Sequence, residues 1–499
     1  MACDNCMRER PRTLGLGILV LTAAALLTSC GQDEGPEIRR IEQGPVYTFI
    51  GDSPVCDVLA FRTTISGLSL RIAGTTEDKF TVFPTSTIAP LIKMNFAALR
   101  DFSTVLNLSS VNENSYDQVA LTLAGANLVL YDPTSAPPIK TVTGRLSTAT
   151  PAVPIQPNLT VVKGQVQALR VDFDMLRSIE VDAQGEVTGN LTPMLTATAV
   201  TPTDAAGFGF FDDLVGFVTS VSPNPVGNFL GGFTCQLLAG SGPAVSVNLN
   251  AQTDMYGAPD LKSLETGRVV EVGAYVDKDG NLVAKTIEVE DRAVVEEQRI
   301  AFVGYVLPSP TLDASGNVTQ FKFYVREEEP DLSREVPLDS VVVVNVSPST
   351  AFQVSSRPTN FANVPFDASA VAAGQELIVH GQYTLTADQP TVVAANSIYL
   401  KIQTLQGGLA SLVEVASDGR TGAFWFDPCA RIQQRAPVLV LTNNDTVFIN
   451  VFGLGEITPH APLLVRGLPF YIKNAATYHG VPVPAGTLLV TARQIHQLQ

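Results

Sequence analysis

The chain is poor in the residues that most often carry chemistry. Its 499 residues include four histidines and one tryptophan, and only 16% are charged. His380, His460, His479 and His496 lie far apart, with no i, i+4 pair on a helical stretch, so a zincin-type site has no framework. After residue 30 there is no Gly-x-Ser-x-Gly elbow and no phosphate-binding glycine loop. No cofactor is expected. Helical periodicity is missing as well. No apolar stripe at 3.6-residue spacing lasts three turns beyond residue 30, and the one short helical candidate runs from Asn95 to Arg100.

Cysteine is scarce, and much of it is removed or used elsewhere. Cys3 and Cys6 stand in an N-terminal leader: Arg8, Arg10 and Arg12, then an apolar run from Leu14 to Leu27, then small residues before Cys30. The run would reach ~21 Å as a helix, against ~30 Å of hydrocarbon core, so it reads as a secretion signal and not a span. Leu27-Thr28-Ser29-Cys30 resembles the lipobox of bacterial lipoproteins, which implies cleavage before Cys30 and its lipidation as the membrane anchor. Gly31 in the next position points to the outer membrane. Residues 30–45 are polar and aperiodic and read as a tether. That leaves Cys56, Cys235 and Cys429, an odd set that allows one intramolecular disulfide in an oxidising compartment. The expected pair is Cys56–Cys235, with three buried thiols as the alternative.

Basic charge is the other deficit. The formal charge of −16 becomes −17 once the leader takes away three arginines and two acids, so polyanions are repelled and nucleic acid is excluded as a partner.

What the chain does have is strand alternation. Val119, Leu121 and Leu123 alternate with Ala120, Thr122 and Ala124; Leu169, Val171 and Phe173 with Arg170, Asp172 and Asp174; Val245, Val247 and Leu249 with Ser246, Asn248 and Asn250. Val341 to Val344 reads as a strand buried on both faces. With 38 glycines and 33 prolines punctuating short strands, the fold class is all-β.

From residue 211 the chain repeats. The first unit (211–292) carries Gly216-Phe217-Val218, Thr253, Tyr256, Val272-Gly273-Ala274-Tyr275 and Ala284-Lys285-Thr286-Ile287. The second (299–402) carries Gly304-Tyr305-Val306, Thr350, Phe352, His380-Gly381-Gln382-Tyr383 and Ala395-Asn396-Ser397-Ile398. The third (403–499) opens near Gly408-Leu409 and carries Thr446, Phe448, Arg466-Gly467-Leu468-Pro469-Phe470 and Ala492-Arg493-Gln494-Ile495. A glycine between strand residues suits a bulge that curls a short sheet, so three small barrels are expected.

Gly51-Asp52-Ser53-Pro54, the strand from Phe61 to Leu70, Tyr116-Asp117-Gln118-Val119 and Asp172-Phe173-Asp174 resemble the bacterial family called domain of unknown function 4382. The repeats resemble domain of unknown function 5666, the third without the compact Gly-x-Tyr step. The resemblance implies a β-sandwich (46–205) followed by OB-like barrels in an envelope lipoprotein. It implies no activity.

Three features invite a site. Asp277, Asp279 and Asn281 open like a calcium loop, with Glu288 in the twelfth position. Leu282, Val283, Ala284 and Ile287 between them read as a strand, and Asp-Gly there favours a hairpin, as it does at Asp313-Ala314-Ser315-Gly316-Asn317 and Asp182-Ala183-Gln184-Gly185. Asp172 and Asp174 share a strand face, beside Arg170 and Arg177. Trp425, within Phe424-Trp425-Phe426, could stack on sugar rings, although a strand core is the commoner use. Glu327, Glu328 and Glu329 read as a solvated loop. The expectation is therefore a lipid-anchored, non-catalytic envelope protein with barrels projecting beyond the sandwich. Its partner would be an envelope protein or polysaccharide; a carbohydrate-binding role and an enzyme with an unfamiliar site are the alternatives.

Overall fold

Alternating strands with one apolar face must bury that face against a second layer. In the computed structural model the first layer-pair is built by one sheet folded over itself. The structure describes residues 43–499 except 54, 77–78, 84–91, 100–102, 201–209, 238–243, 257, 278, 290–299, 330–335, 355–363, 386–388, 434–435, 460 and 499. The leader, Cys30 and most of the tether lie outside the described residues. Among those described, no helix is long and apolar enough to cross a membrane.

The sheet runs in the order Lys79–Phe83, Val58–Ile72, Asn114–Tyr131, Ala152–Val161, Leu195–Val200, Gln167–Asp174, Gln43–Ser53, Ser103–Asn112. Ala152–Val161 is the fold line, pairing with Asn114–Tyr131 on one side and touching Leu195–Val200 through Ala197 and Ile155 on the other. The two halves then face each other. Phe61 meets Phe173 at 5.3 Å between ring centroids, and Phe96 stacks on Phe173 at 4.5 Å. Leu169, Val171 and Phe173 are fully buried in this core, as their alternation requires. The helical candidate is a single 3-10 turn, Phe96–Leu99.

Three closed barrels follow. The first links Phe210–Ser222, Gly231–Leu237, Ala244–Leu249, Leu282–Val289 and Val269–Val276 in a ring. Its third and fifth strands close it in parallel, through Val247 with Leu282 and Asn248 with Val283. The second barrel (Ile300–Val306, Val318–Glu329, Val341–Asn345, Val392–Leu400, Glu376–Thr384) and the third (Gln403–Val415, Gly422–Pro428, Val438–Thr442, Thr487–Gln497, Pro462–Ile472) repeat that connectivity. Each ring is a five-stranded Greek key of the OB type. The repeat glycines mark bulges as expected: the register shifts between Gly273 and Ala274, His380 and Gly381, and Arg466 and Gly467. Ile287, Ile398 and Ile495 are each fully buried.

Several expectations need correction. The opening glycine of the third repeat is Gly407, not Gly408: a Cβ on Gly407 would lie on the carbonyl oxygen of Asp427, as one on Gly216 would meet Gln236 and one on Gly304 would meet Tyr324. Val342 and Val344 are fully buried but Val341 and Val343 are half-buried, Val341 against the cluster where sandwich and barrel 2 meet, so the second face of this strand is only partly covered. Glu327, Glu328 and Glu329 are strand residues, paired with Val303, Phe302 and Ala301. The barrels also do not project as a string. Val166, Ala168 and Val200 of the sandwich pack into the core of barrel 1. Barrels 2 and 3 share a core, with Phe302 and Val379 of one and Leu468 and Phe470 of the other in a single cluster. Leu59, Ala60, Val129 and Tyr131 of the sandwich meet Tyr305, Leu307 and Tyr324 of barrel 2.

Candidate functional site at the seam between sandwich and barrels

Among the described residues, a connected set of charged groups and the disulfide lie where the sandwich meets barrels 2 and 3. The expected Cys56–Cys235 disulfide is absent; Cys56 is bonded to Cys429, 373 residues away, with Cα atoms 5.6 Å apart. Cys235 is a free thiol inside barrel 1, 1% exposed. The pairing follows from docking: Cys235 points into a barrel core, whereas Cys56 and Cys429 sit on the two surfaces that meet.

Beside the disulfide, Asp57 of the sandwich receives the backbone N–H of Arg431 at 2.7 Å and its Nε at 2.7 Å. Arg431 Nη2 also donates to the carbonyl of Tyr131. The mirror arrangement stands on barrel 2. Arg62 of the sandwich donates through Nε and Nη2 to both oxygens of Asp339, at 2.7 and 2.9 Å. Such bidentate pairs fix orientation as well as distance. Asp57 and Asp339 both adopt left-handed backbone conformations, with φ of 61° and 65°. That conformation is costly for a residue with a Cβ and least so for Asp and Asn, so each aspartate is held in place by what it grips.

Behind Asp339 the network continues inward. Tyr324 donates its hydroxyl to Asp339 Oδ1 at 2.6 Å. Burial, and then the neighbouring carboxylate, hold that phenol well above its ordinary pKa. Arg326, 4% exposed, bonds Glu376 through Nη2 at 2.8 Å and Glu327 through Nε at 3.0 Å. Tyr305 donates to Glu376 Oε2 at 3.0 Å and accepts from Arg326 Nη1. Charges this deep persist when paired and hydrogen-bonded, and removing one partner strands the other. The adjoining cleft, lined by Val55, Asp57, Tyr305, Gln406, Cys429 and Gln433 among others, has a volume of ≈ 20 Å³, room for about one water.

The residues singled out from the sequence do not converge on this seam. Asp277 Oδ1 accepts from the N–H groups of Asp279 and Asn281 at 2.9 and 2.8 Å, and Gly280 supplies the positive φ. Glu288 lies far along the strand Leu282–Val289, about 20 Å from the turn at ~3.3 Å per residue. Asp277, Asp279 and Asn281 therefore form a hairpin turn and not a calcium loop. Asp313 and Asp182 build the same turn. Asp174 caps the short helix Met175–Ser178 by accepting from Arg177 N, and Asp172 accepts from Arg170. Trp425 is half-buried and packs against the shared core of barrels 2 and 3. His380 is buried edge-on to Tyr399, His479 occupies a turn, and His496 lies within 3.3 Å of Asn450 Nδ2. His460 lies outside the described residues, as does Cys30. Among the described residues no three His, Cys, Asp or Glu side chains are grouped as metal ligands.

Periodicity gave no access to the seam residues, because each is isolated in its own strand or turn. A weak signal was present at Arg62, the one charge within the mostly apolar stretch Val58–Ile65. A charge in such a run needs a partner from another element.

No curated protein matches the chain. Residues 43–193, spanning most of the sandwich, match the family model described as a domain of unknown function (DUF4382), and residues 215–288, nearly all of barrel 1, match that of a second domain of unknown function (DUF5666).

Proposed function

We propose that this is an exported, lipid-anchored envelope protein without catalytic activity, in which Cys30 carries the anchor and the sandwich and barrels act as one clamped body in structural or ligand-display work. The observation that carries this reading is the Cys56–Cys429 disulfide. Structural disulfides belong to oxidising compartments, which agrees with the secretion signal and lipobox that precede the fold. The paired aspartate–arginine grips favour rigidity over hinged motion. At the seam the ionic groups are committed to one another, and the cleft beside them is the size of a water molecule, too small for a metabolite. Trp425 supports packing and not a sugar platform, since it is half-buried against the core.

The test is metabolic labelling with a palmitate analogue, followed by fractionation. The wild-type chain should take up label and sediment with membranes, and Cys30→Ser should be unlabelled and released. An unlabelled wild-type chain would overturn the anchor. A wild-type chain that reaches the membrane fraction without a Cys56–Cys429 disulfide would overturn the clamped body.

A further inference from the structure

The three barrels use the outer face of their second and third strands differently. In barrel 2 these strands are Val318–Glu329 and Val341–Asn345, and their outward Tyr324 and Val341 join the cluster that holds Leu59 and Val129 of the sandwich. In barrel 3 they are Gly422–Pro428 and Val438–Thr442. There Ala423, Trp425, Leu439 and Leu441 alternate with side chains of the barrel's own core and lie in the cluster shared with barrel 2. Both faces are apolar or aromatic, and both serve internal docking.

In barrel 1 the matching strands, Gly231–Leu237 and Ala244–Leu249, send Phe233, Cys235, Val247 and Leu249 into the core. The residues between them face outward and form cross-strand rows with the end of Phe210–Ser222. One row is Ser220, Thr234 and Ser246; the next is Ser222, Gly232 and Asn248. The three serines are exposed, and Thr234 and Asn248 are half-buried. Asn248 Nδ2 donates to the carbonyl of Leu282 at 3.4 Å, which fixes the amide. Gly232 leaves the row recessed: Asn248 Oδ1 lies 3.3 Å from where a Cβ would stand. Half-buried Tyr275 borders the strip, its hydroxyl reaching across the intervening strand Leu282–Val289 to accept from Asn250 Nδ2 at 3.3 Å.

We propose that this face of barrel 1 binds a neutral polysaccharide, an inference that rests on the ligand-display role proposed for the envelope protein. Charge selects the ligand class. Neither row holds a charged residue, in a chain whose formal charge is −16, so the strip matches an uncharged polymer while the rest of the surface repels polyanions. What the rows offer instead are hydroxyls and an amide, groups that donate and accept as sugar hydroxyls do. Tyr275 adds a ring with an apolar body, against which the C–H face of a sugar packs, and a polar tip already held by Asn250. Neutral hydrogen bonds are individually weak, so an open strip of them suits a repeating chain that makes several at once. The apolar faces of barrels 2 and 3 offer no such set, and they are covered.

The test is affinity electrophoresis of the full chain, purified in detergent, through gels containing starch, dextran, galactomannan, laminarin or xylan, with alginate as the polyanion. At least one neutral polymer should retard the protein, and alginate should not. Ser246→Arg, at an exposed position, should abolish the retardation, and Asn248→Ala should weaken binding by about tenfold, the worth of one or two neutral hydrogen bonds. Ser417→Arg, exposed on barrel 3, should bind as the wild type does. Retention of the Cys56–Cys429 disulfide and of wild-type resistance to trypsin check that each variant is folded. No retardation by any of the five neutral polymers, retardation by alginate alone, or equal retardation of the wild type and Ser246→Arg would overturn the site. Labelling at Cys30 is independent of this readout, so a labelled, membrane-bound chain that no polymer retards would keep its anchor and lose the polysaccharide site.

Discussion

The hydroxyl of Thr446 donates to the carbonyl of Ala492 at 2.9 Å and accepts the N–H of Asn443 at 3.0 Å. Barrels 1 and 2 contain the same two bonds. Thr253 joins Asn250 to Ala284, and Thr350 joins Ser347 to Ala395. In each barrel the threonine locks the end of the third strand onto the fifth, at the alanine of the Ala-x-x-Ile ending. Thr→Val keeps the shape but removes both bonds, leaving an unpaired carbonyl, which costs about 1–3 kcal/mol when the group is buried. Thr350 and Thr446 are buried, and Thr253 is half-exposed. Hydrogen exchange should therefore show larger losses for Thr350→Val and Thr446→Val than for Thr253→Val, with Thr→Ser recovering most of each. Equal losses in all three would mean that the bond is not what fixes the strands.

The glycines that open the repeats predict a sharper contrast. A Cβ at Gly304 would lie on the carbonyl oxygen of Tyr324, and backbone cannot rotate aside. Gly419 has φ of +70° with nothing near its Cβ position. Gly304→Ala should cost more than about 3 kcal/mol, enough to deplete soluble protein, whereas Gly419→Ala should cost about 1–2 kcal/mol from backbone conformation alone. Thermal melts of the two variants would decide it, and similar shifts would contradict the close approach.

These two motifs explain why the repeats were legible in the sequence at all. Glycine where backbones touch and threonine where a strand end needs a hydroxyl leave few substitutes, so they recur visibly even in the divergent third unit. Alternation in Leu169–Asp174 was legible for a similar reason, with one face against Phe61 and the other toward solvent. The seam was not. Asp57 and Arg431 are 374 residues apart, and no local pattern records that their surfaces meet. The cysteine pairing depends on that same docking and was misread with it. Glu327 to Glu329 look like a loop because three adjacent acids seldom suit a strand, yet Arg326 and the edge of barrel 2 accommodate them.

The corrected pairing predicts a defined thiol count. Cys235 is buried among Val218, Phe233 and Val247, and burial pushes its thiol up to about 12. Thiolate is the reactive form, so the processed chain, with Cys3 and Cys6 cleaved off and Cys30 acylated as proposed, should show no accessible thiol to a disulfide reagent when folded and oxidised, and one after denaturation without reductant. Cys235→Ala should leave the Cys56–Cys429 bridge intact, whereas Cys429→Ser should expose Cys56 to labelling. Fast labelling of Cys235 in the folded wild-type chain would place it outside the barrel core.

Alkaline titration gives a further prediction, with its sign set by burial. Tyr116 is fully buried, donates to the carbonyl of Asn112 at 2.8 Å, and has its phenol pushed up to about 12 by burial; Tyr324 is also raised. In an unfolded chain both phenols ionise near ~10. Between those values the folded state holds protons that the unfolded state has released, so stability falls as pH rises. Below about pH 10 both states are protonated and these groups contribute no slope. Denaturant unfolding across the alkaline range should therefore be flat with respect to Tyr116 until about pH 10, then decline toward about pH 12. Tyr116→Phe should start lower by about 0.5–1.5 kcal/mol, for the lost hydrogen bond, and decline less steeply. A phenolate absorbance that reached its full amplitude while the chain remained folded would show that the Tyr116 and Tyr324 hydroxyls reach solvent, contrary to the packing that seals the sandwich core and the seam.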